Sequence, residues 1–324
     1  MVFRTRLWLW GGAVSLALLV SPLVSGCSLS NDSDAPSVQA AALNSSDGSA
    51  ERQLLAQEKD ASKQRDVQGD RTNSDVDNSS VLAAIASSQV IYLAETHNDS
   101  ADHDAQLAII QALNAEGDIA IGLEMFQRPF QAALDDYLAG NSDEEGLIAA
   151  SEYETRWGFD WEFYAPILRY AKANNIPLIA LNTPAEITRK VAKTGLESLE
   201  GDDLKYIPPV SDIDLSDQDY RDWISAVFSA HGGAGHSLDF DNFFAAQVLW
   251  DETMAERVVQ QLAAQPERQV IVLAGEGHVL NGYGIPNRVE RRLPEVVHSS
   301  VQLVPDAQSG AADAIDFVWV TGGE

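Results

Sequence analysis

Four short segments carry side chains able to move protons or hold a cation: Glu95-Thr96-His97, Glu124, Asn182 and Glu276-Gly277-His278. Each closes a run of apolar, β-forming residues. In open α/β sheets, functional groups collect just beyond the carboxyl ends of such strands, so these residues are expected to share one crevice. His/Glu sets of this kind suit a divalent metal held by His97, His278 and Glu124, or general acid–base work on a water molecule. Glu95, Glu124 or Glu276 would then take the proton. Each residue also has a plain structural reading. Asn182 can cap a helix starting near Pro184, Glu124 can pair with Arg128, and a histidine at a strand end can simply satisfy hydrogen bonds. The concentration of ionisable groups at four strand ends is what argues for function.

Two of these segments echo each other. Val90-Ile91-Tyr92-Leu93-Ala94-Glu95-Thr96-His97 reads like Val270-Ile271-Val272-Leu273-Ala274-Gly275-Glu276-Gly277-His278 with one glycine added. Extended backbone at both ends would point both Glu/His pairs into the same crevice. Other chemistries lack their signatures: no Gly-x-Ser-x-Gly elbow, His-Glu-x-x-His helix or P-loop is present. The acidic stretch 212–217 begins like a calcium loop, but Asp217 stands where glycine is required and Trp223 where glutamate is required.

The elements that must position these groups alternate along the chain. Strands are expected at 89–94, 118–123, 176–181 and 269–274, with later ones at 297–304 and 315–320. Between them, helical spacing of apolar residues marks 102–115, 129–139, 161–174, 184–193, 218–230 and 240–264. Apolar strands separated by helices long enough for crossovers predict an α/β fold, a mostly parallel sheet with helices on both faces. Residues 201–235 read as a small helical cap or insertion.

Composition sets further bounds. The chain has 324 residues and a net charge of −28, a field that repels polyanions and speaks against a nucleic-acid partner. Its single cysteine, Cys27, excludes internal disulfides and cysteine-based metal clusters. Arg4 and Arg6, an apolar run 7–24 and then Val24-Ser25-Gly26-Cys27 resemble a bacterial lipoprotein signal. Residues 1–26 are thus expected to be removed and Cys27 lipidated. The residue after it is Ser28 rather than aspartate, which resembles outer-membrane signals and implies a periplasm-facing anchor. Residues 27–80 are polar and poor in aromatic and β-branched residues, the composition of a disordered tether. The folded domain is expected at 81–324.

An ordered series of motifs links the chain to a known family. Ala94-Glu95-Thr96-His97-Asn98-Asp99 with His103 and Gln106 comes first, followed by Gly122-Leu123-Glu124-Met125-Phe126. Trp157, Trp161, Tyr164 and Asn182-Thr183-Pro184 come next. Gln247, Asp251 and Met254-Ala255 follow, then Gly275-Glu276-Gly277-His278 and Gly282-Tyr283-Gly284-Ile285-Pro286. Together they resemble the ChaN-like haem-binding uptake lipoproteins of the Tiki superfamily over most of 88–303. One departure is Ala94, where the family usually has glycine.

The resemblance implies haem binding and iron uptake at the envelope, with two copies pairing about the haem. It places His103, Asn182, Gln247 and Asp251 with the crevice residues. It leaves metal-dependent hydrolysis, as in protease-like or esterase-like members of the superfamily, as the alternative. A haem site needs an apolar slot, an axial ligand and groups for the propionates. Ligand candidates are Tyr153, Tyr164, Tyr170, Tyr283, His231 and His236, and the sequence does not choose among them. Arg156, Arg169 or Arg288 would have to serve the propionates in so acidic a protein.

Overall fold

The computed structural model describes residues 77–230, 239–306, 309, 311–312 and 314–322. Six strands form one parallel sheet: β1 (Val90–Glu95), β2 (Ile119–Gln127), β3 (Leu178–Asn182), β4 (Gln269–Gly275), β5 (His298–Val304) and β6 (Phe317–Val320). Their order is β3-β2-β4-β1-β5-β6. The chain returns from the outermost β3 to insert β4 between β2 and β1, so the chemistry-bearing ends of β1, β2 and β4 are neighbours. The echoed segments lie side by side in full register, Val90 opposite Val270 and Glu95 opposite Gly275.

The helices are α1 (Asn78–Ile85), α2 (Ser100–Glu116), α3 (Gln131–Leu138), α4 (Glu144–Ala150), α5 (Tyr153–Arg156), α6 (Trp161–Asn174), α7 (Ala185–Thr194), α8 (Gln218–Ala230), α9 (Phe240–Ala264) and α10 (Ile285–Arg292). Aspartates start several of them. Asp99, Asp160 and Asp239 accept hydrogen bonds from first-turn amides of α2, α6 and α9, satisfying donors that a helix start leaves open.

Strand alternation divides the core. Ile91, Leu93, Ile121, Leu123, Ile271 and Leu273 face α2, α3 and α6, whereas Val90, Tyr92, Val270, Val272 and Ala274 face α9 and α10. A third cluster joins α7, α8 and α9 through Val191, Tyr220, Ile224, Phe244 and Val248. Ile207, Ile213 and α8 of the expected 201–235 cap or insertion thereby pack on helices α7 and α9, and 231–238 lie outside the described residues.

The expected α/β class is what the structure shows. Differences are local. The second strand runs on to Gln127 rather than stopping at 123, with an irregularity in its pairing to β3 between Leu123 and Gln127. Helix α1 starts ahead of the expected boundary at 81, capped by Asp77. Short α4 and α5 and charged α10 lack a long apolar stripe and escape a periodicity reading. No helix among the described residues is long and apolar enough to cross a membrane. Cys27, His231 and His236 lie outside the described residues.

Candidate functional site

Glu95 ends β1 on the face covered by α2 and α6, fully enclosed. Its Oε1 accepts hydrogen bonds from Tyr164 OH at 2.6 Å and His97 Nδ1 at 2.7 Å, and its Oε2 accepts one from Gln106 Nε2 at 2.6 Å. His103 Nδ1 stands 3.8 Å from the same carboxylate, facing Gln106 Oε1 at 3.2 Å, while its Nε2 faces the carbonyl of His97 at 3.0 Å. Burial pushes the Glu95 carboxyl up, but the charge of His103, the bond and charge of His97 and the Tyr164 hydroxyl outweigh it. The group is held at about 2.

Glu124 points to the other face. Its Oε2 accepts from the Gly275 amide at 2.8 Å, and its Oε1 faces His278 Nε2 at 3.4 Å. That ion pair is longer than a good hydrogen bond, so Glu124 Oε1 is buried without a donor. His278 Nδ1 donates to Asp251 Oδ1 at 2.6 Å, and Asp251 Oδ2 accepts from Tyr220 OH at 2.6 Å. Burial alone would lower His278, yet Glu124 and Asp251 on its two sides raise it to about 10. The result is a second tyrosine–carboxylate–histidine chain, across the sheet from the one built on Glu95.

The two chains meet at Gly275. A side-chain carbon at residue 275 would lie 2.6 Å from His97 Nε2 and 3.7 Å from Glu124 Oε2. Glycine is needed there for space, because its φ of −60° suits any residue. Glu276 turns toward β5, where its Oε1 accepts from Gln302 Nε2 at 3.2 Å. Nearby Asp102 accepts from the Thr96 amide at 2.8 Å. Burial first, then Asp99, Glu276 and Glu95, raises Asp102 to about 7.

The strand ends do gather, but not as the sequence suggested. The added glycine puts Glu276 one step out of phase with Glu95, and a one-residue step reverses the face. The expected metal set of His97, His278 and Glu124 is not arranged for a cation. His278 Nδ1 is taken up by Asp251, and its Nε2 stands 3.4 Å from Glu124 Oε1, on the other face of the sheet from the Glu95–His97 pair. Among the described residues no group of three histidine, cysteine or acidic side chains is placed to hold a metal.

The plain readings also shift. Glu124 does not pair with Arg128, which binds Glu256 at 2.8 Å. Asn182 caps no helix. Its Nδ2 donates to the Glu124 carbonyl at 2.7 Å, where β2 loses its regular pairing with β3. Gln247 is buried one turn before Asp251 on α9, its Nε2 without an acceptor. Tyr220 was missed, since an aromatic within an amphipathic helix signals only core.

These features coincide with a family match. The family model described as haem-binding uptake, Tiki superfamily, ChaN, matches residues 81–289. The chain belongs to the ChaN family. Among solved structures, ChaN of Campylobacter jejuni, described as binding haem cofacially, superposes with a TM-score of 0.54 at 18% identity. It covers 71% of this chain and 86% of its own, and it shows the shared fold. An erythromycin esterase in its open conformation gives a TM-score of 0.41 at 14% identity, covering 69% of this chain and 72% of that one. A curated relative, Protein RETICULATA-RELATED 5, chloroplastic, from Arabidopsis thaliana, is 26% identical over 271 residues. That covers 75% of this chain but only 35% of the relative's length.

Against this ChaN fold the haem-ligand candidates separate. Tyr164 is buried with its hydroxyl on Glu95, and Tyr153 is buried between Phe126 and Trp161. Tyr170 accepts a bond from Asn114. Tyr283 is half-buried with its ring 5.9 Å from Tyr220. Arg156, Arg169 and Arg288 are each engaged by carboxylates of the chain: Glu152 and Glu186, Glu144 and Glu162, and Glu252.

Proposed function

We propose that this protein is an envelope lipoprotein, anchored through Cys27 on the periplasmic side of the outer membrane, that binds haem as cargo for uptake. Family membership over residues 81–289 is the observation that carries the reading. The crevice mouth fits two of the three needs of a haem site. Aromatic rings gather beside the crevice: His97 is 4.9 Å from both Trp157 and Phe159, and Trp223 lies 3.9 Å from where a side-chain carbon at Gly277 would be. A phenol donor is present in Tyr283; His97, whose side chain is 14% exposed, has Nδ1 on Glu95 and its Nε2 edge against Gly275, and would reach iron only after its ring turns. A carboxylate behind an imidazole raises its basicity toward iron. Propionates fit least, because the three arginines named above are already paired, so they would point to solvent. Pairing of two copies about the haem, as the family resemblance suggests, accords with such a shallow site.

The test is a haemin titration of the full chain in detergent, followed by Soret absorbance, with His97→Ala and Tyr283→Phe alongside. Saturation at a simple stoichiometry and a shifted Soret band in one of the variants are expected. A non-saturating curve indistinguishable from that of an unrelated acidic protein would overturn the reading.

A further inference from the structure

On the α10 face of the sheet, away from His97 and Trp157, a cleft of about 290 Å³ opens between α10, β5 and the segment leading into β6. Its walls include Glu290 of α10, Asp316 before β6, Tyr283, and His298 of β5, with Tyr92 at its base. No lysine or arginine lines it. This is unexpected, because α10 carries Arg288, Arg291 and Arg292. All three turn to buried Glu252 on α9: Arg291 Nη2 and Arg292 Nη1 reach it at 2.7 and 2.6 Å, and Arg288 Nε at 3.5 Å. Glu290 therefore keeps an exposed carboxylate with no ion pair or hydrogen bond to the described residues, facing the cleft. Asp316 is pinned by the Ser300 amide and hydroxyl, both at 2.8 Å on its Oδ2, which fixes a second carboxylate from a separate element. Tyr92 OH, 3.4 Å from His298 Nδ1, sets a neutral polar base beneath them. Two of the non-glycine residues with positive φ, Asn281 at 58° and Ala314 at 54°, also line the cleft, and such strained backbone gathers at ligand sites.

We propose that this cleft binds a small organic cation bearing ammonium groups, held between Glu290 and Asp316 against the Tyr283 ring. The chemistry excludes haem there, since two carboxylates would repel its propionates. It also excludes a simple metal site, since Glu290, His298 and Asp316 do not converge on a common point. A cation held between two fixed carboxylates and an aromatic face gains charge-assisted hydrogen bonds and ring attraction together. The site shares Tyr283 with the haem reading but neither His97 nor the aromatic rings around it, so the carboxylate variants, which leave Tyr283 in place, test it separately.

The probe is 1,4-diaminobutane, titrated calorimetrically into the full chain at low ionic strength, with 1,4-butanediol as the uncharged control. One saturable site for the diamine and none for the diol are expected. Glu290→Gln should weaken binding about tenfold, the loss of one charge-assisted contact. Asp316→Asn should do likewise while keeping an acceptor for Ser300. Glu154→Gln, which removes an exposed charge elsewhere, should leave binding unchanged. Absence of a saturable heat, undiminished binding by Glu290→Gln, or equal loss with Glu154→Gln would overturn the proposal in favour of a general response to the −28 charge. Haemin titration of the same variants should match the unmodified protein.

Discussion

His97 lays the Nε2 edge of its ring directly over the backbone of Gly275, so near that a methyl group there would stand 2.6 Å from the nitrogen and 2.7 Å from Cε1. Through this contact the Glu95 chain on one face of the sheet touches the Glu124 chain on the other, because the Gly275 amide is the donor that holds Glu124.

Gly275→Ala should therefore cost about 1–3 kcal/mol through overpacking alone, since φ is ordinary at this position. Urea unfolding measures it. The double variant with His97→Ala should recover most of the loss, because the clash partner is gone. Additive losses would mean that the glycine matters for some other reason.

His278 is the cation that Glu124 and Asp251 share. His278→Ala would leave two buried carboxylates facing each other and should destabilise by about 3–5 kcal/mol, the range for an uncompensated buried charge. The pH dependence has a definite sign. With the folded group at about 10 and the reference at 6.5, its contribution is complete below 6.5 and fades as pH rises toward 10. Unfolding free energies measured across that window should fall in the unmodified protein. The fall should flatten in His278→Ala.

Asp102 behaves in the opposite way to an ordinary carboxylate. Raised from 3.8 to about 7, it keeps its proton in the folded chain while the unfolded chain has lost it, so stability declines as pH rises through that interval. Asp102→Asn keeps an acceptor for the Thr96 amide without the charge. It should leave stability at low pH unchanged and increase it above pH 7, as read from thermal melts at several pH values.

Glu252 anchors α10 to α9 by drawing three arginines into one buried cluster. Glu252→Ala should cost about 3–5 kcal/mol. It should also raise amide hydrogen exchange in α10 before the strands are affected. If α10 kept its protection, the helix would be held by Ile285 and Val289 alone.

Much of this molecule could be read from residue order. Continuous apolar runs separated by amphipathic stretches specify a parallel sheet clad in helices, because each run must hide both faces and each connection must cross over. The ordered Glu/His motifs identify the family, since one strand end after another carries the same chemistry. What residue order left open was which side of the sheet each group faces. The glycine added at 275 puts Glu276 out of step with Glu95, and α9 brings Asp251 beneath His278 from a position far along the chain. A group's partners set its charge. Tertiary packing alone therefore made Glu95 a strong acid, kept His278 protonated and freed Glu290 from the arginines beside it. Side-chain direction and long-range proximity are properties of the packed sheet, and no local pattern encodes them.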